Sequence, residues 1–557
     1  MDGIKIPVGN SDFNDIQSNG YYYIDKSGLI CELLKTPGTK LTLVTRPRRF
    51  GKTLGMSMLS EFFDIRKNSK SLFYGLIVSE EKELCNKWQN RYPTLFLTFK
   101  DVSGNTFENA YGLLKFVLAQ VCVDHADLEM SEHVDNTHKE IFRRLKTQES
   151  SITDVQSSIY ILMNMMQAHY GKPVILLLDE YDVPIAKASS NGYYNEMLEI
   201  IKAMMSTSLK DNSALQFAVV TGCLRIAKES VFTGTNNFVS DTISDTRLNE
   251  YFGFTQSEVE QILLDANLQE HALEIREWYN GYHFGKFDVY CPWDVMNHVN
   301  ALILDHTIKP KGYWKNSSDN AIIRSFIDMA GTNITKQFET LLSGGYIIQK
   351  VEEDLTYDYL HSSEENLWSI LYLTGYLTRV SCAEMEQKLM PGELALAIPN
   401  LKIKDIFRDT IKKWFEDNAR IWNKKILFDA VWSKDADKAT TEITRLLRKT
   451  ISYYDYQENF YHAFWAGIFA GAGYIVESNK EHGEGRSDII VQDYSRSCVV
   501  IFEAKYSKKL TDLAIDCEKA LNQIDHKKYA DTFEEEYETV ICYGIAFYKK
   551  RCMVRCE

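Results

Sequence analysis

Short runs of apolar and β-branched residues recur through the first half of the chain, separated by stretches with helical periodicity. Four of these runs predict strands, at residues 39–45, 94–99, 174–178 and 216–222. The run at 174–178 is apolar at every position, which is typical of a strand that is buried on both faces of a sheet. Because strands and helices alternate, the pattern predicts a three-layer α/β domain with a mostly parallel sheet.

Helical periodicity dominates the second half of the chain as far as about residue 450. Residues 399–416 predict an amphipathic helix, and interior packing explains its apolar face better than a partner surface does. That face comprises Ile403, Ile406, Phe407, Ile411 and Trp414. A helix and then a strand hairpin are expected near the C-terminus. We therefore expect four segments: an α/β domain at 1–250, a helical lid at 251–300, a helical or winged-helix-like connector at 301–450 and an α/β domain at 451–557.

Composition narrows the class of protein further. The chain contains no run of about eighteen apolar residues, so no membrane span is expected, and its start does not resemble a signal peptide. Eleven cysteines without a CxxC pair favour free thiols and a cytoplasmic location. A net charge of −14 repels a polyanion at long range, so any contact with nucleic acid must be local or assisted by a metal ion.

The segment RPRRFGKTL at 46–54 lies between a predicted strand and a predicted helix, which is the context that a phosphate-binding loop requires. In the pattern GxxxxGK[ST], Gly51, Lys52 and Thr53 fill the last three positions, whereas Arg46 replaces the first glycine. Backbone N–H groups at the helix start can bind phosphate. Lys52 can reach the terminal phosphates of a nucleotide, and Thr53 can ligate Mg²⁺.

Polar residues at the ends of two further predicted strands complete a nucleotide site. Asp179 and Glu180 follow the run at 174–178, where the first can hold hydrated Mg²⁺ and the second can polarise the attacking water. An acidic turn after a core strand is the alternative, which the phosphate loop upstream disfavours. Thr221 could sense the γ-phosphate and Arg225 could contact phosphate, and a structural role is an equal alternative for each.

Six segments in a fixed order carry a resemblance to a known family. They are YYYIDKSGLICELL, TRPRRFGKTLGMSML, LLLDEYDVPI, TGCLRIAKESVFTGTNNF, YFGFTQSEVEQIL and WYNGYHFGKFDVYCPWDV. Over roughly residues 5–300 the chain resembles the AAA-ATPase-like family, which is related to archaeal-type ATPases with an extra strand between the two Walker motifs. The resemblance implies a P-loop fold that binds ATP with Mg²⁺, and an arginine-rich loop is usual in the family. Phosphate binding and a salt bridge to another element are equal alternatives for Arg46, Arg48 and Arg49.

A second group of candidate residues lies in the C-terminal hairpin. Asp488 opens one apolar strand, and Glu503 and Lys505 close the next, so the three side chains can converge. Two carboxylates can bind one or two Mg²⁺ ions while a lysine orients the attacking water. On spacing alone, a hairpin with ordinary surface ion pairs is an equal alternative.

The context of this hairpin resembles the PD-(D/E)xK nuclease superfamily. The segment GRSD, the apolar strand ending in Glu503-Ala504-Lys505 and a helix bearing Gln523 carry the resemblance, which covers residues 455–547. It implies a restriction-endonuclease-like α/β fold that uses Mg²⁺, with Mn²⁺ as an alternative. It also implies Glu458 as an additional metal ligand beside Asp488 and Glu503. Ser487 replaces the proline of the superfamily name.

Together the N-terminal and C-terminal motifs predict an ATP-binding and ATP-hydrolysing protein fused to a metal-dependent nuclease. In this interpretation the nucleotide state gates cleavage. Defence or a mobile element would suit such a fusion. DNA is favoured over RNA as the substrate, and assembly into a homo-oligomer is left open. The alternative is an NTP-dependent signalling or scaffold protein whose C-terminal domain binds a partner without cleaving it.

Overall fold

The chain folds into two compact units, each formed by two separate stretches of sequence. Unit 1 comprises Met1–Ser318 and Tyr346–Asp405, and unit 2 comprises Asp319–Gly345 and Ile406–Glu557. The computed structural model describes residues 4–36, 38–225, 238–313, 337–338, 340–355, 364–381, 389–410, 425–450, 469, 474–478, 481–482, 485–486, 488–493, 496–534, 536–549 and 551–557. The division into four consecutive domains stays a prediction.

Unit 1 is built around a five-stranded sheet in the order β2-β3-β4-β1-β5, in which every neighbouring pair is parallel. Its strands are β1 (Leu41–Thr45), β2 (Thr94–Thr98), β3 (Val174–Asp179), β4 (Leu215–Gly222) and β5 (Phe238–Asp241). The first four confirm the strands predicted from the apolar runs. Every residue of β1 and β3 is buried, as the uninterrupted run at 174–178 predicted.

Helices connect these strands and cover the sheet, and those at 52–63, 107–124, 152–170 and 194–209 contact strands directly. A parallel pair requires such a crossover, because consecutive strands must start at the same edge of the sheet. The helices of unit 1 are α1 (Phe13–Ser18), α2 (Gly28–Lys35), α3 (Lys52–Phe63), α4 (Lys82–Trp88), α5 (Phe107–Asp124), α6 (Asp127–Met130), α7 (Asn136–Lys146), α8 (Ile152–Tyr170), α9 (Val183–Asn191), α10 (Tyr194–Leu209), α11 (Gln256–Ala266), α12 (Ala272–Tyr279), α13 (Pro292–Leu304) and α14 (Glu364–Leu373).

Two small antiparallel sheets complete unit 1. One is a hairpin of β6 (Tyr282–Phe284) and β7 (Phe287–Val289), and the other has the order β8-β10-β9, with β8 (Ile347–Lys350), β9 (Thr378–Arg379) and β10 (Glu393–Ala397). In the predicted amphipathic helix, Ile403, Ile406 and Phe407 are buried, as interior packing requires. Ile411 and Trp414 lie outside the described residues. The helical or winged-helix-like connector stays a prediction.

Unit 2 contains a mixed five-stranded sheet in the order β11-β14-β15-β16-β17. Only β15 and β16 run parallel among its described strands, and the helix at 513–526 connects them. The elements of unit 2 are β11 (Ile475–Ser478), β12 (Glu481–His482), β13 (Gly485–Arg486), β14 (Ile489–Asp493), β15 (Cys498–Tyr506), β16 (Thr539–Tyr548), β17 (Arg551–Cys556), α15 (Lys425–Trp432), α16 (Ala436–Thr450) and α17 (Leu513–His526). None of the helices in the described ranges combines the length and apolar character that crossing a bilayer demands.

Candidate functional sites

The predicted phosphate loop joins β1 to α3 and contains two residues with left-handed backbone. Gly51 has a φ of 85° and precedes the first residue of α3, and Arg49 has a φ of 70°. A side chain at position 51 would strain this conformation, so the glycine allows α3 to begin at Lys52. The backbone N–H groups of the first turn of α3 can therefore bind an anion such as phosphate.

Arg46 occupies the position of the missing first glycine, and its side chain is fully buried. The guanidinium donates to the carbonyl oxygens of Thr45 and Asp241, both at 2.8 Å, and to the side chains of Asp241 and Asn249. Arg46 does not line the cavity that the rest of the loop borders. Its two terminal nitrogens therefore bind within unit 1, as in the salt-bridge alternative, and its assignment to phosphate binding stays a prediction.

Lys52 is buried, and its ammonium group lies between the phosphate loop and the Glu180 carboxylate. It donates to the carbonyl oxygens of Arg46 and Pro47 at 3.0 and 3.1 Å, and it lies 3.1 Å from a carboxylate oxygen of Glu180. Burial lowers the pKa of Lys52, but Cys223, Glu180 and other acidic neighbours outweigh burial and raise it overall. The ammonium therefore stays charged and can bind a phosphate.

Asp179 is fully buried at the end of β3, where three threonine hydroxyls donate to its carboxylate. Thr53 and Thr98 donate to one oxygen at 2.9 and 3.1 Å, and Thr221 donates to the other at 2.7 Å. Burial and the neighbouring Glu180 raise the pKa of Asp179, while these hydrogen bonds oppose the shift. Hydroxyl and carboxylate oxygens are the ligands that Mg²⁺ prefers, so Asp179 and Thr53 fit this ion.

Glu180 adopts a left-handed backbone with a φ of 55°, which is uncommon for a residue with a side chain. Its carboxylate pairs with Lys52 and borders the cavity. Strained backbone is maintained where the surrounding structure requires a particular side-chain direction. The turn thus directs Glu180 towards the phosphate loop, while Asp179 remains in the sheet.

Arg49 and Arg225, which were also predicted to contact phosphate, have different neighbours. Arg49 borders the cavity, where its guanidinium lies 4.6 Å from the ring centre of Trp293 and donates to the carbonyl oxygen of Tyr313 at 3.1 Å. Arg225 lies 3.2 Å from a carboxylate oxygen of Asp354 and does not border the cavity. Arg49 therefore borders the cavity, whereas Arg225 is engaged in an ion pair away from it.

The cavity beside the phosphate loop has a volume of about 340 Å³. Four basic side chains border it, and Glu180 is the one acidic side chain among its lining residues; the basic ones are Lys26, Arg49, Lys52 and Lys100. Basic side chains therefore outnumber acidic ones in the lining, although Lys26 is paired with Glu258 and Lys52 with Glu180. The volume lies in the range of small-molecule sites, so the cavity suits an anionic ligand of nucleotide size.

The second candidate site lies on β14 and β15 in unit 2. Asp488 accepts a hydrogen bond from the backbone N–H of Ala504 at 2.7 Å. Glu503 accepts from Lys505 at 3.1 Å through the same oxygen that accepts from Gln523 of α17. The structure therefore brings Glu503, Lys505 and Gln523 together beside Asp488, and Glu458 lies outside the described residues.

Glu503 is 1% exposed, and burial together with the charge of Asp488 raises its pKa to about 7. Its second oxygen is buried and has no hydrogen-bond partner among the described residues. A buried carboxylate oxygen without a donor is costly unless a proton or a cation binds it. Asp488 and Glu503 therefore fit a divalent metal ion such as Mg²⁺ or Mn²⁺.

Family models match both ends of the chain. Residues 7–232 match the model described as "Predicted AAA-ATPase", and residues 456–557 match the PD-(D/E)XK nuclease superfamily. The chain combines a predicted AAA-ATPase domain with a PD-(D/E)XK nuclease superfamily domain. Both recognitions made from the sequence motifs are confirmed, and the parallel and mixed sheets agree with them.

A relative in Azotobacter chroococcum mcd 1 is similar over almost its whole length. It is 25% identical over 554 residues, which cover 98% of this chain and 96% of the relative. Its name is "Uncharacterized protein in vnfD 5'region", which states no activity. The likeness therefore extends through the residues between the AAA-ATPase domain and the nuclease superfamily domain, although neither family model covers them.

Three residues of the AAA-ATPase domain take part in the site but were not predicted from the sequence. Thr98 binds Asp179, and the thiol of Cys223 lies 3.8 Å from the Lys52 ammonium group. Asp182 accepts from the backbone N–H groups that follow β4 at 3.0 and 2.9 Å. Thr98 is the last residue of β2 and Cys223 directly follows β4, at the edge that carries Asp179, and this position is the signal that could have identified them.

Proposed function

We propose that the chain is a Mg²⁺-dependent ATPase whose nucleotide state controls a metal-dependent nuclease. The observation that carries the ATPase half is the convergence of Lys52, Thr53, Asp179 and Glu180 beside a cavity of about 340 Å³. This set contains a phosphate-binding cation, oxygen ligands for Mg²⁺ and a carboxylate for the attacking water. Thr221 supports the set through its hydrogen bond to Asp179.

In the ATPase half, Lys52 binds the terminal phosphates together with the N–H groups of the first turn of α3. Thr53 and Asp179 would hold Mg²⁺, which offsets the charge of the phosphates when it is bound. Glu180 accepts a proton from the water that attacks the terminal phosphate. Before it can do so, the incoming phosphate must separate Glu180 from Lys52.

In the nuclease half, Asp488 and Glu503 would hold one or two divalent ions, which offset the charge of the scissile phosphate. Lys505 orients the attacking water and stabilises the charge that develops on the phosphate. Gln523 fixes the direction of the Glu503 carboxylate through its hydrogen bond. DNA is the proposed substrate in preference to RNA.

Cleavage by the purified full-length protein tests this proposal. Single-stranded and duplex DNA and RNA are incubated with Mg²⁺ or Mn²⁺, with and without ATP. We expect the wild-type protein to cut in an ATP-dependent manner. Asp488→Ala should abolish cutting, and the cutting rate of Lys52→Ala should not respond to ATP. Absence of cutting on every substrate would contradict the nuclease half and leave an NTP-dependent protein whose C-terminal domain binds a partner.

A further inference from the structure

Three side chains that can ligate a metal ion converge on the surface of unit 1. Glu270 and His271 lie immediately before α12, and His306 follows the end of α13. One ligand atom of each residue lies within 4.8 Å of the ligand atoms of the other two. None of the three residues borders the cavity beside the phosphate loop, so this cluster is separate from the ATP site.

The spacing of the ligand atoms is close to that in a tetrahedral metal site. One carboxylate oxygen of Glu270 lies 3.8 Å from Nε2 of His271 and 3.9 Å from Nδ1 of His306. Both distances are too long for a hydrogen bond. In a zinc site with ligands at about 2.0–2.1 Å from the ion, neighbouring ligand atoms are roughly 3.3 Å apart. Each of these two pairs would therefore close by only roughly half an ångström around an ion.

A second carboxylate orients the imidazole of His271. Nδ1 of His271 lies 3.0 Å from Oε1 of Glu274, which stands in the first turn of α12. Because a carboxylate accepts hydrogen bonds, Nδ1 carries the proton, and Nε2 of the neutral ring directs its lone pair towards Glu270. A histidine that ligates a metal ion almost always donates its other ring N–H to such an acceptor. Nε2 of His271 and the Glu270 oxygen are then two acceptors side by side, which a cation would bridge.

A buried histidine is directed at the same carboxylate from the interior. The side chain of His298 is fully buried, and its Nε2 lies 3.6 Å from Oε1 of Glu274. This nitrogen has no hydrogen-bond partner within the described part of the chain, which is rare for a buried polar atom. A shift of Glu274 by roughly half an ångström would form the hydrogen bond. The interior thus supports Glu274 behind His271, as a metal site requires of the groups that orient its ligands.

We propose that Glu270, His271 and His306 bind a divalent transition-metal ion, with Zn²⁺ as the best match. Two imidazole nitrogens and one carboxylate oxygen favour Zn²⁺ over Mg²⁺, which prefers oxygen ligands. Three protein ligands leave a fourth position for water, and Glu270 and His306 are each 62% exposed, so the ion can enter from solvent. The bound ion joins the start of α12 to the segment after α13, and these two helices contact each other. The site is distinct from both sites of the proposed function.

Calorimetric titration of the chelator-treated full chain with Zn²⁺ tests the inference, with Mg²⁺ in excess to fill sites built from oxygen ligands. His306→Ala should bind one equivalent of Zn²⁺ fewer than the wild type, or bind it at least about tenfold more weakly. Glu274→Ala should weaken binding by about 10–100-fold, because His271 loses the group that orients it. His138→Ala is a matched control, since His138 pairs with Asp135 at 2.6 Å elsewhere in unit 1. It should bind Zn²⁺ as the wild type does.

Co²⁺ in place of Zn²⁺ provides a second measurement, because the visible absorption of this ion reports its ligand geometry. The wild type should show a tetrahedral Co²⁺ spectrum that His306→Ala loses. Because His306 is exposed, its replacement leaves the fold intact, and cooperative thermal unfolding of the variant checks this. The site would be overturned if the wild type bound no Zn²⁺, if excess Mg²⁺ displaced it, or if His306→Ala matched the wild type in stoichiometry and affinity.

Discussion

The ion pair between Lys52 and Glu180 predicts that Glu180→Gln has opposite effects on ATP binding and ATP hydrolysis. The two groups lie 3.1 Å apart, and their side chains are 2% and 14% exposed. ATP must displace Glu180 from Lys52 before its phosphate can bind there. Because glutamine is an uncharged acceptor, the variant holds Lys52 less strongly while leaving the shape of the site unchanged.

The size of the binding effect follows from hydrogen-bond energies. The bond between Lys52 and glutamine keeps one charged partner but loses the ionic attraction of the carboxylate, so the pair weakens by roughly 1 kcal/mol, within the range for hydrogen bonds to charged groups. That difference corresponds to about fivefold tighter ATP binding. Turnover should fall by about 10²–10⁴-fold, because amide nitrogen and oxygen cannot accept the proton of the attacking water.

Two measurements on the purified chain check this prediction: calorimetric titration with ATP and Mg²⁺, and the rate of phosphate release at saturating ATP. Glu132→Gln is a matched control, because Glu132 is exposed in the same unit and does not border the cavity. It should change neither quantity. The reasoning would be refuted if Glu180→Gln hydrolysed ATP at the wild-type rate or bound it more weakly than the wild type.

Three further predictions concern the two sites. Lys52→Ala should abolish ATP binding while the thermal unfolding of the chain stays cooperative, and unchanged affinity in calorimetry would contradict the phosphate role. In nuclease assays Lys505→Ala should lose cleavage but keep calorimetric Mn²⁺ binding, whereas Asp488→Ala should lose both; the double variant should be little worse than the poorer single one. The raised pKa of Glu503, about 7, means that the folded site binds a proton more tightly than the unfolded chain. Metal must displace this proton, so Mn²⁺ affinity should fall about tenfold per pH unit below that pKa and level off above it. Glu503→Gln should remove this slope, and a slope that persists in the variant would assign it to another group.

The sequence predicted the central strands of unit 1 because burial on both faces requires an unbroken apolar run. β3 has such a run, and its position placed Asp179 and Glu180 at the edge of the sheet. β5 was not predicted, because it is four residues long and only Asp241 within it is fully buried. A short strand at the edge of a sheet needs no continuous apolar pattern.

The roles of individual arginines could not be derived from the sequence, since the same guanidinium suits a phosphate and a carboxylate. Arg46 bonds to Asp241, which is 195 positions away in the chain. Arg225 likewise pairs with Asp354. No local pattern connects either pair, so only the folded structure distinguishes the alternatives. Glu503 and Lys505, by contrast, are two positions apart on one strand, and their proximity follows from the period of β structure.

The buried pair of Arg46 and Asp241 connects the start of the phosphate loop to the stability of unit 1. Replacing Arg46 by the glycine of the common loop would leave the Asp241 carboxylate in the interior without its cation, at a cost of about 3–5 kcal/mol. Many domains have little more stability than that to lose. A substitution at either position alone should therefore destabilise the domain, and replacing the other partner as well should restore part of that stability.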